Sequence, residues 1–136
     1  HDSKCLISNY IKNYGIVMAQ KYLNEIKNGD SRIIIYNGVI EKNILTRYAP
    51  KGDFIANLSN GGMYKIKTLK KKYLPNMERV ASYLTYHGIF FAGIDMIGDY
   101  ITEINITSPT GIQQIGNRLP SKIATELIKK IDNYHS

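Results

Sequence analysis

The sequence has a single cysteine, no tryptophan and no long apolar run. One thiol, Cys5, excludes an intrachain disulfide and a thiolate metal cage, because both need at least two. We expect Cys5 to be a free thiol, buried or on a helix. No apolar stretch approaches the roughly 18 residues of a membrane-spanning helix, and the first ten residues lack the charged-then-apolar order of a signal peptide. These absences predict a soluble, cytoplasmic protein with no membrane partner.

Acidic residues are also few. The 136 residues include 18 Lys and Arg against 11 Asp and Glu, a net charge of +7, which favours anionic partners such as nucleic acid, lipid headgroups or phosphorylated small molecules. The densest basic run, Lys65 to Lys72, lies at the start of a predicted helix and is typical of a solvated face. No stacked-aromatic or helix-turn-helix pattern accompanies it, so we expect no nucleic-acid partner. The three histidines are not spaced for a metal or a catalytic triad.

The apolar periodicity predicts one α+β domain, with helices packed on a mostly antiparallel sheet. A chain of this length can bury one core but not two. The predicted elements are a helix from His1 to Tyr14, a buried strand within Ile16 to Leu23, strands at Arg32 to Tyr36 and Val39 to Arg47 around a type I′ turn at Asn37-Gly38, a long loop from Tyr48 to Lys65, a helix from Pro75 to His87, a hairpin within Gly93 to Gly111, and a last helix capped by Ser121 with Ile123, Ala124, Leu127, Ile128 and Ile131 inside.

The last predicted hairpin carries carboxylates among its isoleucines. A half-buried carboxylate is costly unless a cation or hydrogen-bond donors meet it. A three-residue loop, Gly98 to Tyr100, places Asp95 directly opposite Glu103, with Cβ atoms about 5 Å apart. A two-residue loop instead pairs Asp95 with Thr102 and turns Glu103 to the other face.

Two adjacent carboxylates repel, so they need a shared proton or a cation between them. Asn105 lies two residues after Glu103 and shares its face. An all-oxygen set of few ligands suits Mg²⁺ on a phosphorylated substrate, or Ca²⁺. The alternative is that Asp95 and Glu103 are exposed and paired with lysines across the sheet, and the spacing leaves both open.

Two arginines flank the Asn37-Gly38 turn. Arg32 and Arg47 are expected at nearly the same height of the ladder, and two neighbouring guanidinium groups favour a phosphate or carboxylate ligand. The Gly61-Gly62 pair could let backbone amides approach an anion as well. The alternative is a pair of surface arginines whose charges are satisfied by Asp30, Asp53 or Glu41.

Five separated segments of the chain resemble the C-terminal part of prokaryotic glutathione synthetases, in the ATP-grasp superfamily. They are MAQKYL, NGDSRIIIYNG, LTRYAPKGDFIANLSNGG, GIFFAGIDMIGDYITEINITSPTG and QQIG, and the resemblance runs from about Ile16 to the last helix. It implies the C-terminal half of an ATP-grasp fold. It also implies an ATP-dependent ligase that joins γ-glutamylcysteine to glycine through an acyl phosphate, with Mg²⁺ or Mn²⁺ as the metal.

The resemblance assigns roles to the residues that match the family's motifs. The metal ligands are Asp95, Glu103 and Asn105; the ATP contacts are Gln20, Lys21, Tyr22, Leu23, Asp30, Arg32 and Asn105; the catalytic arginines are Arg32 and Arg47; and the substrate contacts are Arg47, Asn57, Gly61, Gly62, Ser108, Pro109 and Thr110. The segment from Tyr48 to Gly62 corresponds to a loop that closes over the site and shields the acyl phosphate from water.

The chain also departs from the family. Ile55 and Ala56 stand where an arginine and a glycine are usual, and Gly111, Ile112 and Gln113 replace Cys, Ile and Arg. These changes remove two positive groups near the substrate carboxylates, which favours as alternatives a related amino-acid or peptide ligase or a degenerate, non-catalytic module. The family's chains are much longer and form homo-oligomers. We therefore expect residues 1–136 to lack the N-terminal part of the synthetase and to be inactive alone.

Overall fold

The computed structural model describes residues 3–49 and 63–134, which form the predicted α+β fold. The elements are α1 (Ser3–Tyr14), β1 (Asp30–Tyr36), β2 (Val39–Ile40), β3 (Asn43–Tyr48), β4 (Met63–Thr68), α2 (Leu74–Tyr86), β5 (Phe91–Ile97), β6 (Tyr100–Asn105), α3 (Ile112–Ile115) and α4 (Leu119–Tyr134), with 3₁₀ turns at Asn24–Asn28 and Lys71–Tyr73. Within these residues no helix combines the length and the apolarity that crossing a bilayer requires.

The described strands form one antiparallel sheet in the order β4-β3-β1-β5-β6, with β2 paired to β1. The central strands β1 and β5 pair along seven residues each. Both are rich in apolar residues on both faces, and the run Ile33 to Ile35 is almost wholly buried. A strand covered on both faces needs such a continuous apolar run, which explains why β1 and β5 take the middle of the sheet.

The first hairpin has the predicted turn. Asn37 and Gly38 both have positive φ angles, 49° and 75°, as a type I′ turn requires. The predicted strand Val39 to Arg47 is instead two strands, β2 and β3. The Glu41 carboxylate accepts a hydrogen bond from the Asn43 backbone amide at 3.1 Å between them, so a side chain replaces the ladder partner at the break.

The second hairpin, β5 and β6, reaches the predicted pairing by a different route. The turn is the two residues Gly98 and Asp99, the shorter of the two loops considered, yet Asp95 does not pair with Thr102. A β-bulge then leaves Thr102 without a counterpart, and Asp95 still pairs with Glu103. The Thr102 hydroxyl donates to the Asp95 carbonyl at 3.2 Å. The bulge therefore restores the register that a two-residue turn alone would have lost.

Each face of the sheet carries its own apolar core. The face under α2 buries Ile33, Ile35, Ile44, Leu69, Met77, Ala81, Leu84, Ala92, Ile94 and Met96. The face under α3 and α4 buries the smaller set Ile34, Tyr36, Leu45, Ile115 and Leu119. The prediction of a helix from Pro75 to His87 is close to the observed α2, with Pro75 in its first turn.

The basic run and its neighbours were predicted wrongly. Met63 to Lys65 belong to the edge strand β4 rather than to a long loop, and of the run Lys65 to Lys72 only Lys71 and Lys72 are helical, in the 3₁₀ turn before α2. All six residues of β4 are exposed. Charged lysines on an edge strand hinder pairing with another chain, so the alternation of apolar and basic residues indicates a protected edge rather than a helix start.

Two apolar segments are not buried as predicted. The predicted strand within Ile16 to Leu23 is absent, and Ile16 and Met18 are 101% and 84% exposed. In α4, which begins at Leu119 rather than after Ser121, only the first turns reach the sheet, and the apolar stripe farther along is exposed: Leu127, Ile128 and Ile131. The helical periodicity was correct in α4, but the described sheet is too short to cover it.

Helix α1 lies close to the predicted limits and ends before Gly15, whose φ angle is 76°. Its apolar stripe is about half exposed: Leu6, Ile7, Tyr10 and Ile11. Cys5 is an exposed free thiol on this helix. Of the two predicted environments for Cys5, the helical one is confirmed.

Candidate functional site

Four charged side chains meet at one end of the sheet, on the face that also carries α3 and α4. Asp30 and Arg32 share a face of β1 because they are two residues apart. In the sheet register, Arg32 pairs with Asp95 on β5, and Asp30 pairs with Arg47 on β3. Residues directly opposite each other in a ladder have neighbouring side chains. We call Asp30, Arg32, Arg47 and Asp95 the charged cluster.

Arg32 holds the Asp95 carboxylate with two parallel hydrogen bonds. Nε donates to Oδ1 at 2.8 Å and Nη2 donates to Oδ2 at 2.6 Å. The two side chains are 7% and 5% exposed. A bidentate contact between a guanidinium and a carboxylate in a water-poor site is strong and strongly oriented. The sequence-based alternative, Asp95 exposed and paired with a lysine, was therefore wrong.

Arg47 joins the two aspartates. Its Nη2 donates to Asp95 Oδ2 at 2.9 Å and also to Asp30 Oδ2. Arg32 lies opposite Leu45 rather than opposite Arg47, so the two arginines are diagonal neighbours and not at the same ladder height as predicted. They converge because both reach Asp95. The predicted alternative in which Asp30 satisfies an arginine is confirmed for Arg47.

The two aspartates respond to this environment in opposite directions. Burial alone would raise the pKa of Asp95, but the hydrogen bond from Arg32 and the charges of both arginines outweigh burial and lower it. Burial raises the pKa of Asp30, because the charge of Arg47 does not compensate for it and the nearby charge of Asp95 adds to the rise. Hydrogen bonding to Asp95 raises the pKa of Arg32 above its already high ordinary value.

Two polar atoms in the cluster are buried without a hydrogen-bond partner among residues 3–49 and 63–134. They are Asp30 Oδ1 and Arg47 Nε, one acceptor and one donor of the same ion pair. Buried polar atoms are normally paired, and unpaired ones mark a place where water, an ion or a ligand belongs. The cluster thus has unused hydrogen-bonding capacity on the Arg47 side.

The turn after β6 lies over Arg32. Arg32 Nη1 donates to Thr110 Oγ1 at 3.0 Å and to the Thr110 carbonyl at 3.3 Å. Pro109 is buried above Gly93, while Ser108 is exposed. The structure therefore brings Thr110 and Pro109 to the cluster. Sequence reasoning missed the contact between Thr110 and Arg32, since no spacing pattern links residues so far apart.

The residues predicted to bind a metal lie beside the cluster on the same face. Asp95 pairs with Glu103 and Gly93 with Asn105, so all three predicted ligands project to one side. Glu103 is exposed and Asn105 half-buried, and the Glu103 charge acts on Arg32. In the described part of the chain no three His, Cys, Asp or Glu side chains form a metal-binding group by themselves.

These three residues nevertheless fit a hard divalent cation. Their donors are all oxygen, which Mg²⁺ prefers, and Mg²⁺ commonly takes only one or two carboxylates, with phosphate and water as its other ligands. Asp95 Oδ1 accepts one hydrogen bond and keeps a second lone pair. A bound metal would have to share Asp95 with the two arginines.

The remaining predicted site residues lie in a segment without regular structure or outside the described residues. Gln20, Lys21 and Tyr22 are exposed and Leu23 is half-buried, in a segment without regular structure. The predicted substrate contacts Asn57, Gly61 and Gly62 lie outside the described residues, as do Asp53, Ile55 and Ala56.

Comparison with known proteins gives one family. The model of the prokaryotic glutathione synthetase ATP-grasp domain matches residues 2–119. The chain is 38% identical to the glutathione synthetase of Coxiella burnetii, over 89% of this chain and 38% of that protein. The glutathione synthetases of Pseudomonas aeruginosa and Wigglesworthia glossinidia brevipalpis are 38% and 37% identical, over 85% and 93% of this chain. The chain spans between 36% and 41% of the length of these relatives.

Proposed function

Because the chain belongs to the family of prokaryotic glutathione synthetase ATP-grasp domains, we propose that it supplies the phosphate- and metal-binding wall of an ATP-dependent ligase. The reaction we assign to the whole protein joins the carboxyl group of γ-glutamylcysteine to the amino group of glycine. ATP phosphorylates that carboxyl group first, and the amine then displaces phosphate. The similar proteins carry the name glutathione synthetase, which supports this assignment.

One observation carries the proposal. Arg32 and Arg47 converge on Asp95, at the edge of the sheet face where Glu103 and Asn105 also project. A surface built for stability alone would not bury two arginines and two aspartates together, because burying charge is costly even when it is paired. A site for a triphosphate needs fixed positive groups in a water-poor place.

The arginines would neutralise the charge that develops on the transferred phosphoryl group. Phosphoryl transfer requires little covalent chemistry from the protein and depends on positioning and charge stabilisation. Asp95 holds both guanidinium groups in place before ATP arrives, so they need no reorganisation during the reaction. Arg47 Nε, which has no partner among the described residues, is a donor that a phosphate or carboxylate oxygen could accept from.

Asp95, Glu103 and Asn105 would hold Mg²⁺, or Mn²⁺, next to these arginines. When bound, the metal supplies further neutralisation of the ATP phosphates. The segment Gln20 to Leu23 is assigned to the adenine ring, and Asp30 to the nucleotide region. Arg47 and the turn of Ser108, Pro109 and Thr110 are assigned to the peptide substrate, as are three residues of the loop: Asn57, Gly61 and Gly62.

The test is a calorimetric titration of Mg²⁺-ATP into this chain and its Asp95→Ala and Glu103→Ala variants. We expect each substitution to weaken binding about tenfold or more, since each removes a charged ligand. Asp99→Ala is the matched control, because it removes a carboxylate from the same hairpin at an exposed position, where it accepts hydrogen bonds from Lys72 and Tyr73. That variant should bind as the unchanged chain does.

The second arm of the test is a hybrid protein, because the relatives are longer than this chain. This chain would replace the matching segment of the Coxiella burnetii synthetase, and the hybrid would be assayed for glutathione formation from γ-glutamylcysteine, glycine and ATP. Activity that depends on Asp95 and Glu103 supports the proposal. Nucleotide binding that is indifferent to both residues in both arms would contradict it.

A non-catalytic module is the second candidate. It is favoured by the way both arginines donate to Asp95, because a carboxylate satisfied in this manner can serve structure alone. This candidate predicts that the hybrid folds and assembles but neither binds Mg²⁺-ATP nor forms glutathione. The two arms therefore separate the candidates.

A further inference from the structure

We propose that Thr110 is a positioning residue, which fixes the guanidinium of Arg32 so that its donors stay aimed at Asp95. The inference rests on the proposed function, since it treats the turn that carries Thr110 and the Asp95 carboxylate as parts of one site. It assigns the Thr110 hydroxyl to an arginine of the protein rather than to a substrate.

Arg32 has a third contact beside its two hydrogen bonds to Asp95. Nε and Nη2 form one edge of the planar group and both donate to Asp95. The charges of Asp30 and Glu103 also act on this guanidinium, so a contact at its other side opposes rotation of the group toward them. Nη1, on the other side, donates to two acceptors of one residue, Thr110 Oγ1 at 3.0 Å and Thr110 O at 3.3 Å. The rigid fork is therefore held at opposite sides.

Two glycines allow the turn to approach Arg32 this closely. A Cβ atom on Gly93 would lie 2.7 Å from Pro109 Cβ and 3.5 Å from Arg32 Cδ. A Cβ atom on Gly111 would lie 2.7 Å from a methyl carbon of Leu45, and the φ angle of Gly111 is 98°, which disfavours any side chain. The backbone around Thr110 is thus shaped to lie on the sheet above Arg32.

The Arg32 guanidinium couples the turn that carries Thr110 to the Asp95 carboxylate. The same guanidinium joins the turn to Asp95, so a ligand that displaces the turn also loosens the hold on Asp95. Conversely, a metal that shares Asp95 loosens Arg32 and with it the turn. The turn and the carboxylate are linked by one rigid group rather than by a chain of contacts.

The test is nitrogen NMR of the arginine side chains in the full 136-residue chain, without nucleotide. The Arg32 signal is assigned by its absence in Arg32→Lys. Rotation about its Cζ–Nε bond exchanges the two Nη groups and must break the contacts of both. We expect Thr110→Val to speed this rotation about tenfold, the factor that corresponds to one lost charged hydrogen bond. Thr110→Ser, which keeps the hydroxyl, should rotate at the unchanged rate.

Thr125→Val serves as the matched control, because the Thr125 hydroxyl is exposed and donates within α4 to the Ser121 carbonyl. An Arg32 rotation rate in Thr110→Val equal to that of the unchanged chain overturns the inference, and so does equal acceleration in the control. Thr110→Ala gives the same test if the valine variant does not fold. The outcome is independent of Mg²⁺-ATP binding, so failure of the proposed function and failure of this inference are distinguishable.

Discussion

The two faces of the central sheet differ in what they bury. The face under α2 is filled by apolar side chains from the core strands and the helix, several of them completely inaccessible, including Ile33, Met77 and Ile94. On the opposite face, a smaller apolar group around Ile34 and Leu45 lies at one end, and the charged cluster lies at the other end.

The difference indicates that one face of the sheet stabilises the fold and the other orients charged groups. Apolar burial contributes most of the free energy of folding, and it does so without directional demands. Buried ion pairs contribute little net stability but hold their groups in fixed orientations. We infer that the α2 face keeps the strands β1 and β5 in register, and that this register positions Arg32 opposite Asp95 on the other face.

The largest expected effect comes from breaking the charged cluster. Arg32→Met leaves the Asp95 carboxylate buried with Arg47 as its remaining cation. We expect the free energy of unfolding to fall by about 3–5 kcal/mol, measured by urea denaturation, because removing one partner leaves the buried carboxylate only partly compensated by Arg47. Arg79→Met, the same change on the exposed side of α2, should cost about 0.5 kcal/mol or less.

A double variant sharpens this comparison. Arg32→Met with Asp95→Leu makes the charged end of the face resemble the α2 face, and we expect it to recover most of the lost stability. Recovery would show that the charges are retained for function. A double variant as unstable as Arg32→Met alone would instead mean that the pair itself holds the fold.

The next effect comes from the apolar face. Met77 is fully buried in α2, and Met77→Ala should lower the free energy of unfolding by about 3 kcal/mol through the cavity that it leaves. Glu78→Ala, its exposed neighbour, is the control. The chemical shift of the Arg32 Nε group in the folded Met77→Ala variant should not move. A shifted Arg32 signal would contradict the separation of the two faces.

Much of this architecture follows from the sequence. The alternation in β5 and β6 predicted a hairpin, and the Asn37-Gly38 dipeptide predicted its turn, because these signals are local. The pairing of β1 with β5 is not local. It joins Arg32 to Asp95, 63 residues apart, and no feature of either segment's sequence indicates which strand it pairs with.

Two of the wrong predictions share a physical cause. The segment after Gly15 and the far half of α4 have apolar patterns typical of buried elements, but burial depends on a neighbouring surface, and the described sheet does not extend to them. In the second hairpin the cause is different, because a β-bulge at Thr102 changes the register that the two-residue turn alone would give. Periodicity predicts which face of a helix or strand is apolar, whereas the surface that buries this face depends on the whole fold.

The smallest effect concerns pH and contrasts the two aspartates. The pKa of Asp95 is lowered from an ordinary value of 3.8, so the stability it contributes is present above that pH and is lost as the pH falls through the lowered pKa. The pKa of Asp30 is raised, so protonation of the folded chain adds stability as the pH falls through a pKa above 3.8.

Urea denaturation between pH 7 and pH 3 should therefore show opposite changes in the two variants. Asp30→Asn should remove a gain in stability that the unchanged chain shows before the pH reaches 3.8, whereas Asp95→Asn should reduce the loss below it. The three chains differ only at Asp30 or Asp95, so the differences between their pH profiles isolate the cluster. If the two variants kept parallel pH profiles, the opposite pKa directions would not govern stability, because the Arg32 hydrogen bonds to Asp95 and the burial of Asp30 are what separate the two pKa values.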